Sequence, residues 1–291
     1  MLKTALKTTA LFHPYSVLFA LLLSAPLTYG TVVNYNKPVR IVSTNLCTDQ
    51  LLLMLVGKDR IASITNLAKQ PEYSYLWEKA QDIPTNVGLA EEILPLQPDL
   101  ILTTEFSPGN ATAILMNNKL PVEIVALPDS FAGLEALISR LGELLGEQEA
   151  AAGLITSMRA DIDSAKVRIK NVDISNRPTA LIYSPNGHTA GSNTFKNTIV
   201  TMAGYSNIAT DLGIEYYSNL SVEQVLLSKP DLVIVSESDY NRDSLAHRYT
   251  DHPALLKWQG HHGMLTIPDN QWLCVGPMST EALKTIAGTH K

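Results

Sequence analysis

The sequence lacks the motifs that cradle phosphates or build a nucleophilic active site. It contains no Gly-x-x-x-x-Gly-Lys segment and no Gly-x-Gly-x-x-Gly segment. It also contains no Gly-x-Ser-x-Gly segment, which would place a hydrolase nucleophile on a strand-to-helix turn. These absences disfavour the rival class of a secreted α/β hydrolase, and we expect a protein that is not an enzyme.

Long apolar runs and an excess of positive charge are also missing. The net charge of −6 makes nucleic acid an unsuitable partner. The apolar run at residues 17–23 is far shorter than the ~20 residues that a membrane span needs. It follows Lys3 and Lys7 and precedes small residues that end at Gly30, a pattern typical of a secretory signal peptide. We therefore expect residues 1–30 to be cleaved near Gly30 and the mature chain to be exported.

Cysteine is scarce, with only Cys47 and Cys274 in the chain. Neither lies near the expected cleavage point, where a lipid anchor would be attached, so the sequence predicts a free protein of the periplasm. An oxidising compartment permits one disulfide between the two residues. Two separately packed thiols and soft coordination of a metal in a ligand remain alternatives.

Proline is absent from residues 131–171, where charged and apolar residues alternate with helical spacing. From Glu147 onward, apolar side chains recur every three or four positions, which is the period of one helix face. The pattern predicts a helix over residues 147–171. Its apolar positions are Leu154, Met158, Ile162, Ala165 and Ile169.

One segment occurs twice, on either side of that helix. Residues 91–105 and 223–237 agree at six of fifteen positions at an offset of 132, including a shared Pro-Asp-Leu. Internal repeats of this kind indicate two similar structural units. We therefore expect an N-terminal lobe at residues 31–146, a connecting helix at residues 147–171 and a C-terminal lobe at residues 172–291.

Within each expected lobe, short apolar segments alternate with helical ones. The repeated Pro-Asp-Leu predicts strands at residues 99–104 and 231–236, and a glycine-containing loop is expected from Ser184 to Ser192. The predicted helices include residues 91–97, 131–145 and 243–257. This alternation predicts the α/β class, with two Rossmann-like lobes that each contain a parallel sheet. Ligands of such sheets bind beyond the carboxyl ends of the strands. A ligand cleft between the lobes would then be lined by the loops after Ser43, Thr65, Thr104, Tyr183 and Ser236. Cys47 and Cys274 fall near this cleft from opposite lobes, where a disulfide would restrict opening.

These features together resemble a known family, the substrate-binding proteins of ABC importers with a single long connecting helix. The resemblance covers essentially all of the mature chain. It is carried by Arg40-Ile-Val-Ser-Thr-Asn before an apolar helix, by the doubled Glu-x-x-Leu/Ile unit with its Pro-Asp-Leu, by the central helix, and by Ala203-Gly-Tyr-Ser-Asn-Ile. It implies a monomer that binds a ferric siderophore, haem or a corrinoid such as vitamin B12 and passes it to an inner-membrane permease.

The resemblance also implies a docking role for Glu91 and Glu223, one on each lobe. Two carboxylates held apart by a rigid helix can engage two basic pockets through bidentate hydrogen bonds. A purely structural role is the alternative, because a glutamate in the first turn of a helix complements the helix dipole. Ser221 and Gln224 also form a plausible capping box around Glu223.

The candidate ligand contacts are aromatic, polar or basic residues near the expected cleft. Tyr217 matches a position where the family places an aromatic ring against a flat ligand. Thr85 and Asn86 stand where corrinoid binders have tryptophan, which weakens a vitamin B12 assignment. His188 suits iron coordination, with a solvated loop histidine as the alternative. The full set comprises Tyr217, Tyr183, Tyr73, Tyr75, Asn45, Cys47, His188, Arg242 and Trp272.

The sequence therefore predicts a periplasmic receptor for a metal chelate. We expect no intrinsic cofactor and no direct metal site in the protein, since the metal would arrive within the ligand. The competing hypothesis is an adaptor or sensor partner of the same fold that binds no small molecule.

Overall fold

The computed structural model describes residues 37–237, 252–259 and 263–290. The expected signal peptide, Arg242 and most of the helix predicted at residues 243–257 lie outside these ranges. The strands are β1 (Ile41–Ser43), β2 (Ile61–Thr65), β3 (Thr85–Asn86), β4 (Leu100–Thr104), β5 (Val122–Val125), β6 (Thr179–Ile182), β7 (His188–Ala190), β8 (Ser206–Asn207), β9 (Tyr217–Asn219), β10 (Leu232–Ser236) and β11 (Gly263–Ile267).

Helices precede or follow most of these strands. In chain order they are α1 (Leu46–Leu55), α2 (Trp77–Ala80), α3 (Ala90–Ile93), α4 (Gly109–Asn117), α5 (Phe131–Leu145), α6 (Gln148–Arg168), α7 (Phe195–Met202), α8 (Ile208–Asp211), α9 (Val222–Ser228), α10 (Pro253–Gln259), α11 (Asp269–Trp272) and α12 (Ser279–Ala287). No helix in the described part of the chain is long and apolar enough to cross a membrane.

Each lobe contains a parallel sheet, which confirms the predicted α/β class. The first sheet has the order β3-β2-β1-β4-β5, and the second has the order β11-β10-β6-β8. All neighbours within both sheets pair in parallel. The central strands β4 and β10 are buried along their whole length, because helices cover both faces of each sheet.

The repeat seen in the sequence has the same conformation in both lobes. Strands β4 and β10 occupy positions 132 residues apart, and a left-handed residue precedes each of them, Gln97 with φ 46° and Lys229 with φ 49°. Asp99 accepts hydrogen bonds from the amides of Val39 and Arg40 at 2.7 and 2.8 Å. Asp231 accepts an equivalent bond from the amide of Thr179 at 2.7 Å. Each aspartate therefore joins its own strand to the start of the neighbouring one.

The helix after β3 is shorter than the sequence pattern predicts. The predicted segment 91–97 is α-helical only to Ile93 and continues as a 3-10 turn over Leu94–Leu96. Pro95 explains the change, since proline cannot donate the next helical hydrogen bond and its ring crowds the preceding turn.

Helix α5 ends the first lobe, and α6 follows it as the connecting helix. Ser130 caps the start of α5, and Gly146 ends it in the left-handed conformation with φ 67°. Helix α6 buries one face through Ala151, Ile155, Met158, Ile162 and Ala165. This face begins earlier than the sequence pattern suggested, with Leu154 and Ile169 only partly buried against it.

One apolar core runs through the connecting helix into both lobes. It includes Leu52 and Ile138 of the first lobe, Met158 of α6, and Ile199 and Ile286 of the second lobe. Lys284 on α12 adds an ion pair with Asp161 on α6 at 3.0 Å. The connecting helix is therefore packed along its length and not a free tether, which favours small relative movement of the lobes.

Candidate functional site

The lobes contact each other through segments that follow the carboxyl ends of their strands. The structure joins Cys47, at the start of α1, to Cys274, after α11, in a disulfide with a Cα–Cα distance of 5.0 Å. Asn270 Nδ2 donates to the carbonyl oxygen of Pro71 at 2.9 Å. The rings of Phe131 and Phe195 lie 4.9 Å apart between α5 and α7. The ligand site of an open α/β sheet would lie at this end of both sheets.

Helix α1 fixes the first-lobe side of the site. The side-chain oxygen of Asn45 accepts from the amide of Cys47 at 2.9 Å and so caps the helix. Ser43 and Thr48 share a buried hydrogen bond of 2.7 Å behind this cap. Asn45 and Cys47, both predicted as ligand contacts, are half-buried and already have these structural partners.

Asp49 on α1 is a fully buried carboxyl group. It accepts hydrogen bonds from both the amide and the hydroxyl of Thr65, the last residue of β2. Burial raises its pKa to about 7, against the lowering effect of hydrogen bonds from Ser43 and Thr65. This residue was not among those predicted from the sequence, although an acidic residue within an apolar helix was a signal that could have identified it.

Two predicted aromatic contacts lie on the segment that follows β2. We call residues 66–76 the aromatic loop. Tyr75 is 40% exposed, whereas Tyr73 packs partly against the apolar core. Trp77, which follows the loop, begins α2. The structure thus places Tyr75 at the surface, whereas Tyr73 is partly buried against the core.

The second lobe presents a two-stranded antiparallel sheet formed by β7 and β9. Its strands align His188 with Asn219 and Ala190 with Tyr217. Gly191 permits the close pairing, because a Cβ at this position would lie only 1.9 Å from the carbonyl oxygen of Ile214. Strand β7 was predicted only as part of a glycine-containing loop, and β9 was not predicted.

His188 and Tyr217 stack on this two-stranded sheet. Their ring centroids are 5.5 Å apart and the ring planes differ by 7°. Partial burial and the nearby Lys196 ammonium lower the pKa of His188, which favours its neutral form at pH 7. Burial raises the pKa of the Tyr217 hydroxyl. The structure therefore brings two predicted contact residues together in one stacked aromatic pair.

Two other predicted contacts are buried supports, which corrects our expectation for them. Tyr183 is 0% exposed, packs in the second-lobe core and donates to the carbonyl oxygen of Leu220 at 3.2 Å. Trp272 is 3% exposed and its indole donates to Ser236 Oγ at 3.0 Å. Burial of both aromatic rings stabilises the lobe, and their polar atoms find partners inside the protein.

Lys196 is a basic residue that was not predicted from the sequence. It lies in the first turn of α7, and its ammonium nitrogen is 4.2 Å from the ring centroid of Trp272. This distance is within the range of a cation–π contact. Arg242, the basic residue predicted for the site, lies outside the described residues.

Exposed apolar side chains also follow strands of the first sheet. Phe106, two residues after β4, is 74% exposed, and Val87, directly after β3, is 56% exposed. Large apolar groups at the carboxyl ends of strands are a signal for ligand contact that the sequence contained. Neither residue was among the predicted contacts.

Glu91 and Glu223 occupy matching positions in the first turns of α3 and α9, and both are exposed. Hydrogen bonds from the backbone of Glu223 and the side chain of Ser221 lower the pKa of Glu223. The predicted capping box between Ser221 and Gln224 is present. Each lobe therefore carries an exposed carboxylate at an equivalent position.

The described residues contain no group of three or more His, Cys, Asp or Glu side chains arranged to hold a metal ion. What they do contain is a stacked aromatic pair on one lobe, an aromatic loop on the other and a covalent link between the two. The fold and this site define a two-lobe α/β binding protein with its lobes joined by a helix.

A family model supports a more specific assignment. The model for periplasmic binding proteins matches residues 41–255, so the chain belongs to the periplasmic binding protein family. This confirms the resemblance identified from the sequence motifs.

Individual relatives agree with this family. A cobalamin-binding protein of Halobacterium salinarum is 27% identical over 213 residues, which cover 72% of this chain and 57% of that protein. The vitamin B12-binding protein of Vibrio campbellii is 23% identical, covering 79% of this chain and 83% of that protein. The apo structure of a periplasmic heme-binding protein from Roseiflexus sp. RS-1 has a TM-score of 0.69 and 25% identity, covering 86% of this chain and 97% of the other.

Proposed function

We propose that this protein is the extracytoplasmic receptor of an ABC importer and captures a flat metal chelate for delivery to the membrane permease. The observation that carries the proposal is the stacked His188–Tyr217 pair beyond the second sheet, in a chain that belongs to the periplasmic binding protein family. Haem, a corrinoid and a ferric siderophore are the ligand classes that the relatives support.

The geometry favours a planar ligand. A stacked pair leaves an outer ring face for a ligand, and a flat conjugated ligand can bury a large area against such a face at little entropic cost. Tyr217 is 56% exposed, so part of this surface is open to solvent. The neutral form of His188 also leaves a ring nitrogen able to coordinate a metal carried within the ligand.

The charge around the pair favours an anionic ligand. Lys196 lies near enough to His188 to lower the pKa of the imidazole. The ammonium of Lys196 and the amino-terminal end of α7, where it sits, both attract negative charge. Haem carries carboxylates on its edge and would match this arrangement.

The partner in this proposal is an inner-membrane permease. Glu91 and Glu223 are exposed at equivalent positions of the two lobes, as expected for paired contacts with basic pockets. In the native host, replacing both residues by glutamine should abolish uptake while leaving ligand affinity unchanged. Glu92→Gln is the matched control, because Glu92 is the exposed neighbour whose carboxylate binds the amide of Val87 within the lobe.

Ligand capture is tested by titrating the exported protein separately with haemin, cyanocobalamin and ferrichrome, with visible absorption and native mass spectrometry as readouts. We expect one chelate to bind at one-to-one stoichiometry without turnover. Tyr217→Ala should weaken binding by about ten-fold because it removes half of the stacked pair. Tyr216→Ala is the control, since the neighbouring Tyr216 is 61% exposed but is not part of that pair.

Two results would contradict the proposal. Failure to bind any of the three chelates would favour the adaptor hypothesis. Equal losses for the Tyr216 and Tyr217 variants would show that the stacked pair is not the contact surface.

We also infer that the protein reaches the periplasm through cleavage of residues 1–30 and acts there as a monomer. Amino-terminal sequencing of the exported protein should begin at Thr31. Light scattering should give the mass of one mature chain. A mature chain that retains residues 17–23 would contradict the cleavage.

A further inference from the structure

The aromatic loop is held from the first lobe by buried side chains of α1. Gln50 is fully buried, donates to Ser74 Oγ at 2.8 Å and accepts from the amide of Leu76 at 3.2 Å. Asp49 binds the amide of Thr65, directly before the loop. Two adjacent residues of one helix therefore fix both ends of the loop.

The middle of the aromatic loop is held from the other lobe. Asn270, in α11, donates its side-chain amide to the carbonyl oxygen of Pro71 at 2.9 Å. Pro71 and the following Glu72 are exposed. Asn270 lies four residues before Cys274, whose disulfide to Cys47 holds the same second-lobe segment against α1. The disulfide limits the distance between this second-lobe segment and α1. Asn270 connects the middle of the loop to the same segment.

We propose that the second lobe sets the position of the aromatic loop through Asn270, and that Asn270 is a positioning residue for the ligand contacts of Tyr73 and Tyr75. The role of Asn270 in positioning these ligand contacts rests on the proposed function. A hydrogen bond to a backbone carbonyl orders the loop whatever its side chains are. Separation of the lobes at α11 would release the centre of the loop while α1 keeps its ends.

Asn270 thereby ties the first-lobe part of the site, the aromatic loop, to the second lobe, which carries the other part. Tyr217 belongs to the second lobe, whereas Tyr75 belongs to the first. Without a link between them, each small movement of the lobes would change the distance between the two aromatic surfaces. The Asn270 contact makes the loop follow the second lobe, which preserves that distance and with it the selectivity for ligand shape.

Hydrogen exchange measured by mass spectrometry tests the positioning step without any ligand. In Asn270→Ala, the amides of Gln70 and of residues 72–74 should exchange about five-fold faster, the effect of losing one hydrogen bond. Asn118→Ala is the matched control, because Asn118 also donates its side-chain amide to a backbone carbonyl at 2.9 Å, within the first lobe. Unchanged exchange in Asn270→Ala, or equal acceleration in both variants, would overturn the proposal.

The disulfide provides a second measurement. If the cysteine link keeps Asn270 near Pro71, reduction of the wild-type protein should accelerate exchange of the same amides. Reduction should then add little in Asn270→Ala, because the contact is already lost. Fully additive effects would show that the disulfide and Asn270 act separately and would contradict the linkage.

Measurements of ligand affinity, with haemin as the probe, test whether Asn270 positions the ligand contacts of the aromatic loop. Asn270→Ala should raise the Kd for haemin several-fold, and combination with Tyr75→Leu should add less than the two single effects. Faster exchange with an unchanged Kd would show that the loop is not part of the binding site. If haemin does not bind the wild type at all, the haem form of the proposed function fails and so does the role of the loop as a haem contact. The exchange result still decides whether Asn270 positions it.

Discussion

The two lobes share a scaffold and differ at the carboxyl ends of their strands. Both place the first strand of the lobe beside the strand that follows Pro-Asp, and both use a left-handed residue and an aspartate at that junction. The first lobe then presents the aromatic loop after β2, whereas the second presents the two-stranded β7–β9 sheet, which begins after β6. The repeated sequence therefore encodes the framework, and the unrepeated segments carry the candidate site.

Each lobe also joins its first helix to a neighbouring strand end through a side-chain hydrogen bond, but the two lobes use different side chains. In the first lobe the carboxyl group of Asp49 on α1 binds Thr65 at the end of β2. In the second lobe the side-chain oxygen of Asn197 on α7 accepts from Asn207 of β8 at 3.0 Å. Each contact joins the first helix of a lobe to a neighbouring strand end. Only the first-lobe contact uses an ionisable group, so the lobes should differ in their response to pH.

The largest effect is expected from removing the link between the lobes. The Cys47–Cys274 disulfide joins residues 227 positions apart and so closes a long loop in the unfolded chain. Cys47→Ser combined with Cys274→Ser should therefore lower the free energy of unfolding by about 4 kcal/mol. Urea denaturation of the oxidised protein and the variant measures this difference. Reduction of the wild type should reproduce the loss and should leave the double variant unaffected. Similar midpoints for all four samples would mean that the packed helix alone holds the lobes.

A pH titration distinguishes the two contacts between helix and strand. The pKa of Asp49 is about 7 in the folded protein against 3.8 as its ordinary value, so the folded state binds a proton more tightly. The contribution of Asp49 to stability should be fully present near and below pH 4 and should be lost as pH rises to about 7, by at most about 1.4 kcal/mol per pH unit.

Asp49→Asn should remove this slope. The variant keeps a side-chain oxygen for Thr65 but has no proton to lose. Asp59→Asn, an exposed change in the same lobe, should retain the slope. Urea midpoints measured from pH 4 to pH 8 give the comparison. A slope that survives in Asp49→Asn would assign the pH dependence to another group.

Asp99 and Asp231 test whether the repeated junctions are energetically equivalent. Asp99 accepts from two backbone amides, and Asp231 accepts from the amide and hydroxyl of Thr179 at 2.7 and 2.9 Å. Each alanine substitution should lower the free energy of unfolding by about 2 kcal/mol, since hydrogen bonds to a charged group are lost. Chemical denaturation measures both variants, and a large difference between them would show that the lobes do not use the junction alike.

Much of this scaffold could be predicted because its signals are local. The predicted helix at residues 131–145 agrees with α5, since Ser130 caps its start, Gly146 ends it and its apolar spacing is helical. The repeated Pro-Asp-Leu likewise predicted β4 and β10. These elements need only neighbouring residues and a single period to be recognised.

The site was harder to predict because its contacts join distant segments. The β7–β9 sheet pairs residues about thirty positions apart, and β7 follows a Pro-Asn-Gly turn that resembles an ordinary loop. Tyr183 and Tyr217 are the same residue type at strand termini, yet one is buried and the other is exposed. Sequence spacing does not distinguish an aromatic ring that supports a core from one that meets a ligand.

The smallest effect concerns the left-handed residues before β4 and β10. Gln97 and Lys229 adopt φ values of 46° and 49°, which an L-residue other than glycine occupies at a cost of about 1–2 kcal/mol. Glycine removes this cost but loses more freedom on folding, so Gln97→Gly and Lys229→Gly should each stabilise the protein by roughly 0.5 kcal/mol. Thermal unfolding measures the change. Ala152→Gly, on the exposed side of α6, is the control and should destabilise by about 1 kcal/mol. Gains in both lobes would show that the repeat retains the same strained backbone twice, whereas a loss in either variant would mean that its side chain contributes more than the strain costs.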